Sequence, residues 1–164
     1  LDMPTRRAGL WEIKMTFEDR NTPPQIMQQC IDAATDKLMQ SMGSSMGQSM
    51  CAKQDVRQVG NTIVVDSVCQ MGPMTTTSRG VITGDFNSAY TMKTTSRMTG
   101  GPAIPGMPAD GATNMTLDAT WMGACKADQK PGDMIMAGGR KMNIRDLQNM
   151  GVPGARAPGT PQKK

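Results

Sequence analysis

Apolar and polar residues alternate with a period of two from Trp11 to Glu18. Trp11, Ile13, Met15 and Phe17 fall on one side, and Glu12, Lys14, Thr16 and Glu18 on the other. This pattern predicts a half-buried antiparallel strand over residues 9–18. A second clean alternation sets Met115, Leu117, Ala119 and Trp121 against Asn114, Thr116, Asp118 and Thr120. The remaining aromatics are Phe86 and Tyr90. A core this poor in rings must gather around them, because each ring buries more area than an aliphatic side chain. The two tryptophan-bearing strands are therefore expected to share one core.

Between these strands the pattern changes several times. The first strand ends in Asp19-Arg20-Asn21-Thr22-Pro23-Pro24, and a shorter strand is expected over Ile26–Ile31, carrying Cys30. Asp32 is an N-cap candidate for a helix over residues 33–40, with Asp36 near its positive end. Gly43, Ser44, Ser45 and Gly47 are poor helix formers, so residues 43–50 read as a loop. Val56 and Val59, then Gly60-Asn61, then Ile63-Val64-Val65 predict a hairpin with a two-residue turn. Thr-rich strands follow over residues 75–83 and 89–97, and the Pro/Gly-rich stretch 98–113 reads as a long connection. Lys130-Pro131-Gly132-Asp133 is a turn, and Asn143 is positioned to cap a short helix through Ile144, Leu147 and Met150 that ends at Gly151.

The hairpin also bears on the cysteines. With a two-residue turn at Gly60-Asn61, Cys51 stands opposite Gln70 and misses Cys69 by one position. One bulge brings Cys51 and Cys69 into register. That favours Cys51–Cys69 and leaves Cys30–Cys125, while the other two connectivities of four cysteines stay open. No Cys-x-x-Cys pair occurs, so disulfides fit the spacing better than a zinc or thioredoxin-type site. A periplasmic or secreted location is expected. The chain begins at Leu1, which a removed signal peptide would explain, and it has no apolar run long enough to span a bilayer.

Composition narrows the chemistry. There is no histidine, which removes the commonest general base and the usual imidazole metal ligand. The net charge of +4 is scattered, with Arg6-Arg7, Arg140-Lys141 and Lys163-Lys164 as the basic pairs, so nucleic acid is not an expected partner. No carboxylate pair, Gly-x-Ser-x-Gly elbow or phosphate loop has its required context, and no enzymatic activity is expected. The anomaly is methionine, with 18 in the chain. Most fit as flexible core filler. Met39, Met42, Met46 and Met50, recurring among Ser, Gly and Gln, are the candidate metal ligands, because thioethers suit copper(I). No other cofactor is expected.

Gly9-Leu10-Trp11 is similar to the Gly-x-Trp of lipocalin-type barrels, which would imply an interior able to hold a small apolar ligand. A broader resemblance rests on several pieces together. They are Gly9-Leu10-Trp11-Glu12 opening a strand, Cys30 after Gln28-Gln29, Cys51 and Cys69 flanking Gly60-Asn61, the run Met74-Thr75-Thr76-Thr77-Ser78-Arg79-Gly80, and Cys125. In these the chain resembles, over about residues 7–125, a family of uncharacterised, Met-rich exported proteins of Gram-negative bacteria known as a domain of unknown function. The resemblance implies a periplasmic address and carries over no functional residue. Residues 130–150 are similar to an extension found in only some members.

The expected architecture is mainly β: a curved antiparallel sheet or partly open barrel of about six to eight strands, with one early helix and a short C-terminal helix. Residues 1–8 read as a lead segment, 9–150 as one disulfide-stabilised domain and 151–164 as a disordered tail. The expected function is a non-enzymatic periplasmic binding or interaction module, with a small apolar ligand or an envelope protein as partner. The alternatives are a methionine-based copper(I) binder and an accessory subunit of an envelope assembly.

Overall fold

A computed structural model describes residues 4–18, 21–101 and 111–149, apart from the side chains of 43–49. The expected tail at 151–164 and residues 102–110 of the Pro/Gly-rich connection lie outside the described residues. The fold is mainly β. Its strands are β1 (Gly9–Phe17), β2 (Gln25–Ile31), β3 (Cys51–Val59), β4 (Thr62–Met71), β5 (Met74–Asp85), β6 (Ala89–Thr99), β7 (Ala112–Trp121), β8 (Asp133–Ile135) and β9 (Lys141–Asn143). The helices are α1 (Ala33–Met50) and α2 (Ile144–Asn149). The strands form one open antiparallel sheet in the order β3-β4-β5-β6-β7-β1-β2-β8-β9.

The seam between β1 and β7 carries the core. Trp11 lies directly opposite Trp121, Ile13 opposite Ala119 and Met15 opposite Leu117. Trp11, Ile13, Ile31 and Ala119 are buried together, with Tyr90 and Leu117 packed against them. The ring of Trp11 meets that of Tyr90 at 5.6 Å. The shared core expected of the two alternations is therefore present. Gly9 is required there for reasons unrelated to a barrel. Its φ is +136°, and a Cβ would run into the Gly123 carbonyl oxygen and Nε1 of Trp121. The sheet is open, so the lipocalin-like closure does not occur.

The β3–β4 hairpin follows the arithmetic of its turn. Val59 pairs with Thr62 across Gly60-Asn61, and Gly60 takes φ +61°, the first-position glycine of a type II′ turn. The register is constant down to Lys53–Val68 and then shifts by one, so that Cys51 stands opposite Cys69 and is bonded to it. Cys30 is bonded to Cys125.

The helix corrects one expectation. Residues 43–50, read as a loop, continue α1 to Met50, and β3 begins at the next residue. A glycine inside a helix costs about 1 kcal/mol, and α1 contains Gly43 and Gly47. Packing offsets this: Met42 is buried with Ile144, against Leu38, Met39, Met134 and Leu147. The start of α1 is as expected, with Asp32 Oδ1 accepting the Thr35 N–H at 2.8 Å and Thr35 Oγ1 accepting the Asp32 N–H at 2.9 Å. The Thr35 N–H, and after it the Thr35 hydroxyl donating to Asp32 Oδ1 at 2.8 Å, hold the Asp32 carboxyl below its ordinary pKa.

Topology explains why α1 must be long. It leaves β2 and enters β3, which stand six strands apart in the sheet. At about 4.8 Å per strand that is roughly 29 Å. A helix of 18 residues spans about 27 Å at 1.5 Å per residue. The helix crosses one face of the sheet, and Met39 touches the Trp11 cluster on that face. Two short strands, β8 and β9, were not expected. They extend the sheet beyond β2, through Gln28–Ile135 and Gln29–Met134, and bring α2 against α1. Asn143 caps α2 by accepting the Arg145 N–H at 2.9 Å.

Candidate functional site

Pairing registers assign every strand residue to one of two faces, because cross-strand partners share a side. Every charged residue in β1–β7 falls on the same face: Glu12 and Lys14 of β1, Lys53, Asp55 and Arg57 of β3, Asp66 of β4, Arg79 and Asp85 of β5, Lys93 and Arg97 of β6, and Asp118 of β7. The other face, which α1 crosses, carries no charge from these strands. Along it lie Met15 and Phe17, Met115 and Leu117, Met92 and Thr94, Ile82 and Gly80, and Ile63 and Val65. Most of these side chains are only half-buried, Ile82 being buried. The buried core occupies the Trp11 end, and the face beyond it is apolar and partly open.

The charged face is tied by its own ion pairs. Asp55 and Asp66 stand directly opposite, a repulsive arrangement. Arg57 bridges both at 2.7 Å, and Arg79 holds Asp66 from the other side at 2.8 Å. The Arg79 and Arg57 guanidinium groups lower the Asp66 pKa from 3.8 to about 2. Because the folded value lies below the unfolded one, this contribution is fully present above about pH 4 and disappears as pH falls toward 2. A carboxyl-detected NMR titration should show Asp66 with a midpoint near 2, returning toward 3.8 in Arg79→Leu. A wild-type midpoint near 4 would contradict the arrangement.

Residues 4–8, read as a lead, close the apolar end. The Trp11 Nε1–H donates to the Arg7 carbonyl at 2.8 Å and the Trp121 Nε1–H to the Ala8 carbonyl at 3.1 Å. The Arg7 guanidinium lies 3.5 Å over the Trp121 ring. Arg6 reaches beneath α1, where its Nε donates to Asp36 Oδ1 at 2.7 Å and its backbone N–H to Asp36 Oδ2 at 2.9 Å. Its Nη1 donates to Gln29 Oε1 at 2.8 Å, and Nη2 faces the Met39 sulfur at 3.6 Å. Asp36 is thus a buried ion-pair partner as well as a residue near the positive helix end. Burial raises the pKa of the neighbouring Tyr90 phenol, and the Arg6 charge opposes that rise.

The four candidate methionines lie along α1 at spacings of three and four residues, so the helix places these positions on one side. Met42 is buried in the Ile144 cluster, and Met39 packs against both clusters while its sulfur takes the Arg6 contact. Met50 is 36% exposed; the Met46 side chain lies outside the described ones. Among the described residues no group of three or more His, Cys, Asp or Glu side chains is arranged to hold a metal ion. No helix among the described residues is long and apolar enough to cross a membrane.

Asp133, which the sequence reading placed in a turn, is buried beside the cysteine-anchored end of β2. Burial acts to raise its pKa, and hydrogen bonds from Asn143, the Lys130 N–H and Lys141 outweigh that and lower it. The Gly132 N–H donates to the Cys30 carbonyl at 2.7 Å, so this segment hangs from the disulfide-bearing end of β2.

Comparison with curated proteins and with solved structures returns no match. The family model of a protein of unknown function (DUF3617) matches residues 6–125, which run from the arginine under α1 to the last cysteine. The chain belongs to this DUF3617 family.

Proposed function

We propose that this domain is a non-enzymatic binding module for a small, uncharged, apolar ligand, held between α1 and the charge-free face of the sheet. The observation that carries the reading is the segregation of charge. Seven strands place every ionic side chain on one face and leave methionine, leucine, isoleucine and valine half-buried on the other. A half-buried apolar row retains unused hydrophobic free energy, about 25 cal/mol for each Å² that a ligand would cover. Methionine suits such a lining because its unbranched thioether chain refills gaps of varying shape. The two disulfides support work in an oxidising compartment, which we infer to be the periplasm or the cell exterior.

The test uses diphenylhexatriene, a hydrocarbon dye that fluoresces on leaving water. A ten-carbon chain gains up to about 8 kcal/mol on burial, which bounds the dissociation constant at about 1 μM before association costs weaken it. The native protein should enhance the dye's fluorescence saturably. 1-Decanol, held below its solubility limit, should displace it at least tenfold better than decyltrimethylammonium or decanoate used below micellar concentrations. No saturable enhancement, or equal displacement by the charged chains, would reject the reading.

A further inference from the structure

The charge-free face changes character along β6. Nearest the tryptophans it presents Tyr90 and Met92, and then Thr94 and Ser96, which stand opposite Gly80 and Ser78 of β5 and Met115 and Thr113 of β7. Ser78 and Ser96 satisfy each other, with their hydroxyl oxygens 2.9 Å apart. Thr94 has no such arrangement. Among the described residues its Oγ1 is the one buried side-chain nitrogen or oxygen without a hydrogen-bond partner. A buried unpaired hydroxyl is costly, and valine has the same shape without that cost. Beside it stands Gly80, where a Cβ would come 3.4 Å from Thr94 Oγ1 and 3.6 Å from the Met92 sulfur. The strand thus keeps its smallest residue next to a hydroxyl that lacks a partner.

We propose that Thr94 is the polar anchor of the ligand site, and that the ligand is a neutral amphiphile. Its hydrocarbon part lies along Met92, Leu117 and Met15, and its single uncharged hydroxyl or ester oxygen hydrogen-bonds Thr94 Oγ1. This rests on the reading of the charge-free face as a ligand site and adds the head group to it. No strand residue on that face is charged, and the Arg6–Asp36 pair at its Trp11 end is already mutually neutralised, so among the described residues an ionic head beside Thr94 finds no counter-charge. An unpaired ion taken from water costs far more than a hydroxyl.

The experiment compares wild type, Thr94→Val and Thr94→Ser with diphenylhexatriene and 1-decanol as probes. Thr94→Val should bind the dye as wild type does, because the dye has no polar atom. Displacement by 1-decanol should weaken about five- to tenfold, the loss of one hydrogen bond. Thr94→Ser should restore it, and Thr94→Val should melt no lower than wild type. Dye binding with unchanged 1-decanol displacement in Thr94→Val overturns the anchor and leaves the face reading standing. Failure of Thr94→Val to fold also overturns it, since the hydroxyl would then serve the fold. Absence of dye uptake by wild type overturns the face reading and this inference with it.

Discussion

Replacing Cys30 and Cys125 together by alanine is expected to destabilise the fold by roughly 4–5 kcal/mol, the largest effect of any single covalent change. The two residues are 95 apart in sequence, and cross-linking so long a loop removes about this much chain entropy from the unfolded state. The Cys51–Cys69 bridge closes a separation of only 18 and should contribute about 3 kcal/mol. A domain of this class has a total of about 5–15 kcal/mol, so the first loss is a large share of it. Position adds to the effect. Cys30 is buried at the end of β2, and its carbonyl receives the Gly132 N–H, so the same residue anchors the β8–β9–α2 segment. Thermal unfolding followed by circular dichroism under non-reducing conditions should show a drop of about 10–15 °C. A drop under about 3 °C would show that the bridge does not constrain the unfolded chain in this way.

Asp36→Ala should cost about 3–5 kcal/mol, because it strips the partner from a buried arginine. The Asp36 side chain is 1% exposed and that of Arg6 is 11% exposed. Without the carboxylate, Arg6 keeps Gln29, the Met39 sulfur and Tyr90 but no counter-charge, and its backbone N–H loses its acceptor as well. Gln40 Nε2, which also donates to Asp36 Oδ2, is released too. Arg6→Ala should be similarly costly, because it leaves the buried carboxylate without its counter-charge. The double variant should therefore be much less destabilised than the sum of the singles, with a coupling above about 1.5 kcal/mol. Denaturant unfolding of the four proteins measures this coupling, and additive losses would remove the ion pair from the account. Asp36→Ala should also raise the susceptibility of residues 4–8 to proteolysis, since it removes the ion pair and the backbone hydrogen bond that fasten Arg6 to α1.

The strands and their cysteine register were legible because their determinants are local. Trp11 to Phe17 alternate without a break, and the turn at Gly60-Asn61 fixes which residues face each other down to the bulge before Cys51. The second half of α1 was not legible, because Gly43 and Gly47 argue against helix locally. What decides the matter is Met42 packing against Ile144, about a hundred residues away. The strands β8 and β9 are three residues each, too short to show a period, and they exist because β2 offers them an edge. Asp36 was read as complementing the helix dipole, because nothing in the sequence joins it to Arg6. The threonine content of β5 and β6 suggests a polar, solvated strand surface. For Thr91 and Thr95 the described contacts agree, reaching Asp118 and Asn114 on the charged face, while Thr94 lies on the opposite face. A signal was present: in β5 and β6 every charged residue has an odd number, which marks one face before any coordinates are known.

The pairing of Trp11 with Trp121 has a consequence for synthesis. In any vectorial emergence of the chain, β1 appears about a hundred residues ahead of the strand that covers its flank. For that interval the β1–β2 ribbon presents Trp11, Ile13, Met15 and Phe17 unsheltered. Holding factors should find it there, and final closure should await the arrival of β7.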